Sequence, residues 1–210
     1  MQINFLLYDR MTALDVVGPY EVLSRLPGAS VLFVAAEPGP VRADTGSLAL
    51  MADASLEDAP PADIVLVPGG YAPPLIDRRV LDWVRAADTR STWTTSVCTG
   101  SLVLAAAGLL EGRRATTHWL AMDRLAPSGA VPTPSRVVID GKYATAAGVS
   151  AGIDLALTLT ERLAGAEFAQ TVQLALEYDP QPPFAAGSPG TAPAAAVAFL
   201  EANRAMVMAG

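Results

Sequence analysis

The sequence has only one cysteine and only one histidine, and both scarcities limit the chemistry that it can carry. With one cysteine no disulfide can form within the chain, so Cys98 is a buried structural thiol, a surface thiol or a reactive one. One cysteine and one histidine do not make a metal site. Nucleotide-binding motifs, such as a G-x-G-x-x-G turn or a P-loop, are also absent. We therefore expect neither a metal nor a cofactor.

Basic residues are also few and scattered. The chain has 14 Lys and Arg against 21 Asp and Glu, a net charge of -7, and no basic cluster is longer than a pair. A surface that follows phosphates needs a basic stripe, so we do not expect nucleic acid as a partner. The N-terminus lacks the basic start of a signal peptide. The uncharged stretch from Ser91 to Leu110 is rich in Ser and Thr, which favours a buried strand and turn over a membrane span. We expect a soluble cytoplasmic protein.

Short β-branched runs alternate with helical patterns along the chain. This alternation predicts an α/β fold, a doubly wound and mostly parallel sheet flanked by helices, as a single domain over residues 1–210. The predicted strands are Ile3–Tyr8, Val31–Ala36, Ile64–Val67, Thr92–Val97 and Tyr143–Ala146, and a side hairpin is predicted over Val41–Met51. The predicted helices are Asp15–Leu26, Leu75–Ala87, Gly100–Leu110, Trp119–Leu125, Ile153–Leu163, Glu167–Tyr178 and Ala194–Met208, the last after a loop at Gln181–Pro193.

Cys98 stands where a predicted strand meets a predicted helix. It follows the strand Thr92–Val97 and comes two residues before Gly100, where the next helical pattern begins. Ligands of open α/β sheets bind at the carboxyl ends of the strands, and a helix N-terminus lowers the pKa of a nearby thiol. Free cysteines are commonly buried and inert. This context nevertheless favours a nucleophile with a lowered pKa.

A second strand-to-helix turn competes for the role of nucleophile elbow. The segment GVSAG from Gly148 matches the G-x-S-x-G pattern of serine hydrolases. The α/β-hydrolase order needs a histidine after the serine, but His118 precedes Ser150, so only a Ser–His pair in another chain order stays open. A close-packed turn is another interpretation. We favour a third, in which backbone amides of this turn border the cysteine, with the Val149 N–H as the preferred donor.

Two carboxylates and a double glycine are predicted near the same sheet edge. Asp15 follows the first strand, where it could cap a helix or act as a general acid/base. Glu21 is the competing carboxylate, and sequence position alone does not decide between them. The turn after Val67 contains Gly69 and Gly70 and ends at Tyr71. Two glycines can aim backbone N–H groups at an anion, although a simple turn could also contain them.

Several segments together resemble a known family. They are DVVGPYE from Asp15, VPGG from Val67, SVCTG from Ser96, ATTHW from Ala115 and EYDPQPPF from Glu177. These motifs are similar to those of the isonitrile hydratase family, which belongs to the ThiJ/PfpI superfamily with a class I glutamine amidotransferase-like, flavodoxin-like fold. VPGG marks only the superfamily, whereas the other segments are more specific. The resemblance runs over nearly the whole chain.

The resemblance implies roles for individual residues. Cys98 matches the family nucleophile, Asp15 its acid/base carboxylate, and Thr99 the hydroxyl residue that supports that carboxylate. Tyr178 and Asp179 are expected to line the substrate pocket or a dimer edge, and Gly70, Tyr71 and Val149 to bind the anion or substrate. His118 and Glu21 are expected to lie behind the reacting residues, where they would support them without contacting the substrate.

The implied reaction is cofactor-free hydration of an isonitrile to an N-substituted formamide, a hydro-lyase activity. Asp15 would protonate the isonitrile carbon, Cys98 would attack it to form a thioimidate, and water would hydrolyse that intermediate. The family likeness also implies a homodimer. Two alternatives stay open: a glyoxalase or deglycase activity, and a ligand-binding or stress-response protein with an oxidisable cysteine. Against the first, protease-, chaperone- and glyoxalase-like relatives usually have histidine where this chain has Thr99, and glutamate near the first strand.

Overall fold

The computed structural model describes residues 1–71 and 77–205. The eleven strands in this part of the chain are β1 Gln2–Leu6, β2 Ser30–Ala35, β3 Gly39–Arg42, β4 Ala49–Ala52, β5 Ala54–Ser55, β6 Ile64–Val67, β7 Trp93–Val97, β8 Arg114–Ala115, β9 Val131–Pro132, β10 Val137–Asp140 and β11 Tyr143–Ala146. The α-helices are α1 Ala13–Leu23, α2 Arg78–Asp88, α3 Gly100–Ala106, α4 Ala151–Ala164, α5 Ala166–Ala175 and α6 Ala194–Ala202. Two 3-10 helices lie at Trp119–Arg124 and Ala126–Ser128.

Seven strands form the central sheet, in the order β10-β11-β7-β6-β1-β2-β5. Every neighbouring pair is parallel except β10 and β11, which are antiparallel. All five strands predicted for the sheet are present, and the predicted α/β fold is confirmed. Because β1, β6, β7 and β11 are parallel neighbours, the turns that follow them come out at one edge. That edge carries Cys98 and the turns predicted to surround it.

Helices cover both faces of the sheet. On one face, α1, α4 and α5 bury a core that includes Val16, Leu155 and Val172. On the other, α2 and α3 bury Val84 and Leu104. Strand β6 contacts both cores, and each of its four residues is buried. Its continuously apolar sequence is therefore explained by cover from two sides.

Several sequence predictions need adjustment at their ends. The predicted helix Leu75–Ala87 begins at Arg78, where Asp77 accepts the Arg79 N–H at 2.9 Å, and residues 75 and 76 lie outside the described residues. The helix predicted over Trp119–Leu125 is a 3-10 helix. The last helix ends at Ala202, and residues 206–208 of the prediction are not described.

The predicted side hairpin is confirmed as β3 and β4, which pair antiparallel from Gly39 opposite Ala52 to Arg42 opposite Ala49. Strand β10 was not predicted, and it joins β11 through a two-residue turn at Gly141 and Lys142. Within the described residues no helix is long and apolar enough to cross a membrane. The single domain over residues 1–210 stays a prediction.

We predict that Leu155→Ala destabilises the protein by about 2–5 kcal/mol, because it leaves a cavity where α4 packs on the sheet. Leu155 is fully buried. The matched control is Leu174→Ala in α5, whose side chain is 78% exposed and should cost less than about 0.5 kcal/mol. Urea unfolding measures both values. Equal losses for the two variants would contradict the packing of α4 described above.

Candidate active site

Cys98 occupies a strained turn whose backbone is held from both sides. Its φ is +56°, a left-handed conformation that residues with side chains adopt at a cost of about 1–3 kcal/mol. The Cys98 N–H is shared between the carbonyls of Ala146 and Ala147, at 3.1 and 3.0 Å, which ties the turn to the end of β11. The Cys98 carbonyl accepts the hydroxyls of Thr117 at 3.0 Å and Ser101 at 3.3 Å. These bonds hold the turn in the geometry predicted for a nucleophile elbow.

Two glycines let the turn after β6 lie directly against this elbow. A Cβ on Gly100 would stand 2.2 Å from the Val67 carbonyl oxygen. A Cβ on Gly69 would stand 2.6 Å from the Thr99 nitrogen and 2.8 Å from the Cys98 Cβ. No side chain fits at these separations, so glycine is required on both sides of the contact.

Asp15 lies beside this contact and is fully buried in the first turn of α1. Its Oδ2 accepts the Gly69 N–H at 2.8 Å, while Oδ1 has no hydrogen-bond partner among the described residues. Thr12, not Asp15, occupies the N-cap of the helix. Burial raises the Asp15 pKa to about 8, the Gly69 N–H acts against that rise, and the charge of Asp44 adds to it. At neutral pH the carboxyl therefore holds a proton.

The Cys98 pKa is raised to about 12, so the expected lowering by the helix N-terminus is wrong. Burial is the main cause, and the charge of Asp15 is the second. The backbone N–H groups of Val149 and Thr99 and the Thr99 hydroxyl act in the other direction, because they favour the thiolate. Helix α3 has only seven residues and does not outweigh the loss of solvent. Cys98 is therefore a thiol in the free protein.

The hydroxyl of Thr99 acts on the glycine turn and not on Asp15 directly, which corrects its expected role. It accepts the Gly70 N–H at 3.0 Å and donates to the Gly70 carbonyl at 3.2 Å. The Gly70 N–H is thus already bonded and does not point at a free anion site. Tyr71 lies under the guanidinium of Arg10, 3.8 Å from the ring centre, and lines a different cavity.

A cavity of about 450 Å³ lies beside the elbow. Val149 and Thr117, which contact Cys98 from two sides, both belong to its wall. The wall is mainly apolar, and the segment Gly187–Pro189 lies at its border. The other lining residues are Leu14, Thr116, His118, Trp119, Met122, Pro134, Ser135, Arg136, Ala147, Gly148 and Ser150.

His118 supports this wall as a neutral imidazole. Its Nδ1 accepts the Leu120 N–H at 3.3 Å, which caps the 3-10 helix that follows, and burial lowers its pKa. A Cβ on Gly148 would stand 2.5 Å from the imidazole Cδ2, so the glycine makes room for the ring. His118 is itself part of the cavity wall, and its predicted place behind the reacting groups stays a prediction.

The serine of the G-x-S-x-G segment is not arranged as a nucleophile. Ser150 is exposed, and its hydroxyl accepts a hydrogen bond from Arg136 at 3.3 Å. No hydrogen bond joins Ser150 to His118 in residues 1–71 and 77–205. The same described residues hold no group of three His, Cys, Asp or Glu that could bind a metal ion.

Three other predicted residues lie away from the elbow. The Tyr178 hydroxyl donates to Asp154 Oδ1 at 3.1 Å, and Asp179 accepts from Gln181 at 2.9 Å. Neither Tyr178 nor Asp179 is part of the cavity wall. Glu21 forms an ion pair with Arg25 at 3.2 Å on the outer side of α1, and 47% of its side chain is exposed. Asp15 is therefore the carboxylate at the site.

Sequence reasoning missed two residues that shape the site. Thr117 was recognised only as part of a motif, although it bonds to the Cys98 carbonyl. The sequence predicts Tyr8 only as the end of the first strand, whereas in the structure its hydroxyl donates to the Pro68 carbonyl at 2.8 Å. Its position just after β1, at the edge that carries Cys98, is the signal that could have found it.

Comparison with known proteins gives one family and several close relatives. A family model described as the DJ-1/PfpI family matches residues 1–162. Isonitrile hydratase of Pseudomonas putida is 50% identical over 94% of this chain and 87% of its own length. A ThiJ/PfpI family protein from Pseudomonas syringae has a similar structure, with a TM-score of 0.94, 41% identity, and coverage of 98% of this chain and 86% of its own.

A regulator shares part of the same core. The HTH-type transcriptional regulator CdhR of Pseudomonas aeruginosa is 37% identical over 66% of this chain, which is 42% of the regulator's length.

We predict that Asp15→Asn lowers the pKa of Cys98, because it removes the charge that helps to raise it. Above pH 8, where Asp15 is ionised in the parent protein, iodoacetamide should therefore alkylate the variant faster. The rate of alkylation as a function of pH measures the effect. Glu21→Gln removes an exposed carboxylate and serves as the control that should change nothing. A variant that reacts at the parent rate would show that Asp15 does not act on the sulfur.

Proposed function

The chain belongs to the DJ-1/PfpI family, and on that premise we propose that it hydrates an isonitrile to an N-substituted formamide through Cys98 and Asp15. The observation that carries the proposal is a fully buried carboxyl, with one oxygen that has no hydrogen-bond partner among the described residues, beside a thiol at a strained elbow. The 50% identity to isonitrile hydratase supports the substrate class. No metal or redox step is needed, because hydration only adds the elements of water.

In the first step, the isonitrile carbon gains a proton and a bond to sulfur. Asp15 donates its proton from Oδ1 to the terminal carbon, which makes that carbon electrophilic. The Cys98 sulfur then bonds to the same carbon, and the thiol proton passes to Asp15. The product is a thioimidate on Cys98, and Asp15 is protonated again. The raised pKa of Asp15 supports this role, since a carboxyl with an ordinary pKa would hold no proton at neutral pH.

In the second step, water adds to the thioimidate carbon. Asp15 passes one proton of the water to the nitrogen, and the other goes to the departing sulfur. The carbon–sulfur bond breaks, and the formamide and the free thiol result. Sulfur carries a developing negative charge as it leaves. The Val149 and Thr99 N–H groups would stabilise that charge.

The cavity beside the elbow suits the substituent on the isonitrile nitrogen. Leu14, Trp119 and Met122 provide apolar surface, and a volume of about 450 Å³ is within the usual range for small-molecule sites. The narrow isonitrile group would then enter towards Cys98, between Val149 and Thr117. The homodimer and the cytoplasmic location expected from the sequence stay predictions.

A glyoxalase or deglycase activity and a stress-response role for an oxidisable thiol are the competing functions. A stress sensor needs a thiolate that oxidants can reach. Cys98 is only 6% exposed and has a raised pKa, which argues against a readily oxidised sensor. The mostly apolar cavity wall also differs from what a polar sugar adduct would need.

We predict that the protein converts p-nitrophenyl isocyanide to the matching formamide, and that Cys98→Ala abolishes this turnover. Asp15→Asn should lower kcat by about 10²–10⁴-fold, the usual worth of a general acid/base. Formamide formation is followed by chromatography. Ser150→Ala and Glu21→Gln are the controls, and both should keep most of the activity. Activity in Cys98→Ala within a few-fold of the parent would refute the covalent mechanism, and loss in Ser150→Ala would point to the serine.

We also predict a pH profile in which kcat/KM falls as the pH rises through about 8. The sign follows from the raised pKa of Asp15: the acid form donates the proton in the first step, and it disappears above that pH. Steady-state rates between about pH 5.5 and 9.5 measure the profile, because this range extends on both sides of the Asp15 pKa. A rate that instead rises through pH 8 would mean that formation of the thiolate limits the reaction.

A further inference from the structure

Tyr8 is a half-buried hydrogen-bond donor that the proposed reaction leaves without a role. It follows β1 directly, and its ring lies on the wall of the cavity that also contains Arg10 and Tyr71. Its hydroxyl points the other way, into the protein, and donates to the Pro68 carbonyl at 2.8 Å. Burial raises the Tyr8 pKa well above its usual value, and the charges of Asp15 and Cys98 add to the rise. The phenol therefore stays protonated and remains a donor.

The carbonyl that Tyr8 binds belongs to a particular peptide group. Pro68 C=O and Gly69 N–H are the two polar ends of one planar amide. The Gly69 N–H donates to Asp15 Oδ2 at 2.8 Å. The three groups therefore form one chain of hydrogen bonds, from the Tyr8 hydroxyl through the Pro68–Gly69 peptide to the Asp15 carboxyl.

Such a chain is cooperative. Donation to a carbonyl oxygen draws electron density through the amide and makes its N–H a stronger donor, by about 10–30% per bond. The amide plane is also fixed at both ends, so its N–H keeps pointing at Asp15. Proline at position 68 has no N–H of its own and a fixed φ, which removes one way for the turn to rearrange.

We propose that Tyr8 is a positioning residue for Asp15. Tyr8 orients and polarises the Pro68–Gly69 peptide, so that the Gly69 N–H holds the Asp15 carboxyl beside Cys98. The Tyr8 hydroxyl donates to the Pro68 carbonyl and not to the sulfur, and Tyr8 transfers no proton in the proposed reaction. The proposal rests on the proposed role of Asp15 as the acid/base. It adds a group that sets how much of Asp15 is protonated at a given pH.

The other charged and titratable groups around Asp15 do not lower its pKa as the Gly69 N–H does. Asp44 raises the Asp15 pKa and is itself bonded to the Thr12 hydroxyl at 2.8 Å. Cys98 is a thiol and neutral in the free protein. Helix α4 also packs on α1, and its Asp154 is engaged by Arg136 and by the Tyr178 hydroxyl. Among the groups in the described part of the chain, the Gly69 N–H is the one that lowers the Asp15 pKa, and Tyr8 acts on it.

The test is Tyr8→Phe, which removes the hydroxyl and keeps the ring. The infrared absorption of the protonated Asp15 carboxyl, identified by subtraction of the Asp15→Asn spectrum, gives its titration midpoint without any substrate. We expect the midpoint to rise by roughly 0.2–0.7 pH units, since the Gly69 N–H becomes a weaker donor. If the protein turns over isonitrile, the fall of kcat/KM with pH should move upward by the same amount, with a kcat change of only a few-fold.

Tyr143→Phe is the matched control. Its hydroxyl donates to Asp88 at 3.2 Å at the start of β11, the opposite edge of the sheet from Cys98. The Tyr143→Phe variant, like Tyr8→Phe, loses a tyrosine hydroxyl that is hydrogen-bonded inside the protein. It should lower the stability by a similar amount without moving the titration midpoint of Asp15. A midpoint in Tyr8→Phe equal to that of the parent would overturn the proposal. An equal rise in both variants would do so as well, since it would show a general effect of lost stability.

A second substitution decides the matter if Tyr8→Phe does not fold. Replacement of Tyr8 by 3-fluorotyrosine keeps the hydroxyl and makes it a better donor, so the Asp15 midpoint should fall. A midpoint that stays or rises would overturn the proposal. Because the infrared titration needs no isonitrile, its result is separate from the outcome of the turnover assay.

Discussion

The contact between the Gly69–Gly70 turn and the Cys98 elbow is the constraint on which the site depends. It exists because β6 and β7 are parallel neighbours, so their following turns lie side by side, and because glycine at positions 69 and 100 lets two backbones touch. From this contact, the Gly69 N–H reaches Asp15 and the Thr99 hydroxyl reaches both polar groups of Gly70. Cys98 and Asp15 are thus held by the same packing of two backbone turns and not by separate parts of the fold.

Burial then decides the charge state of the site. The exclusion of water that this packing produces raises the pKa of both Asp15 and Cys98, and the charge of each would further oppose ionisation of the other. The free protein therefore holds two protons where an exposed Cys–Asp pair would hold one. Two protonated groups suit the addition of a thiol to an electron-rich carbon, because that carbon has to be protonated before the sulfur attacks it. A protein that attacked an already electrophilic carbonyl would need the opposite balance.

The fold and the strand-to-helix elbow at Cys98 were predictable from the sequence because both depend on local order. Alternating strands and helices define the sheet, and Cys98 between Val97 and Gly100 defines the elbow. The raised pKa of Cys98 was not predictable, since burial by distant segments outweighs the helix that follows. The partners of Thr99 and Tyr8 depend on how the turn after β6 packs, which residue spacing does not specify. Tyr178 and Asp179 do not line the cavity, and their expected place at a dimer edge stays a prediction.

The backbone of Cys98 is bonded at its N–H to the end of β11 and at its carbonyl to Thr117 and Ser101. A cysteine whose backbone is held in this way keeps its place in the molecule, and its sulfur can move only by rotation about one bond. The encounter must therefore be completed by the other partner. A molecule that reacts there has to bring its carbon to one of the few positions that the rotating sulfur can face, so discrimination among reactants becomes a matter of the path by which they approach.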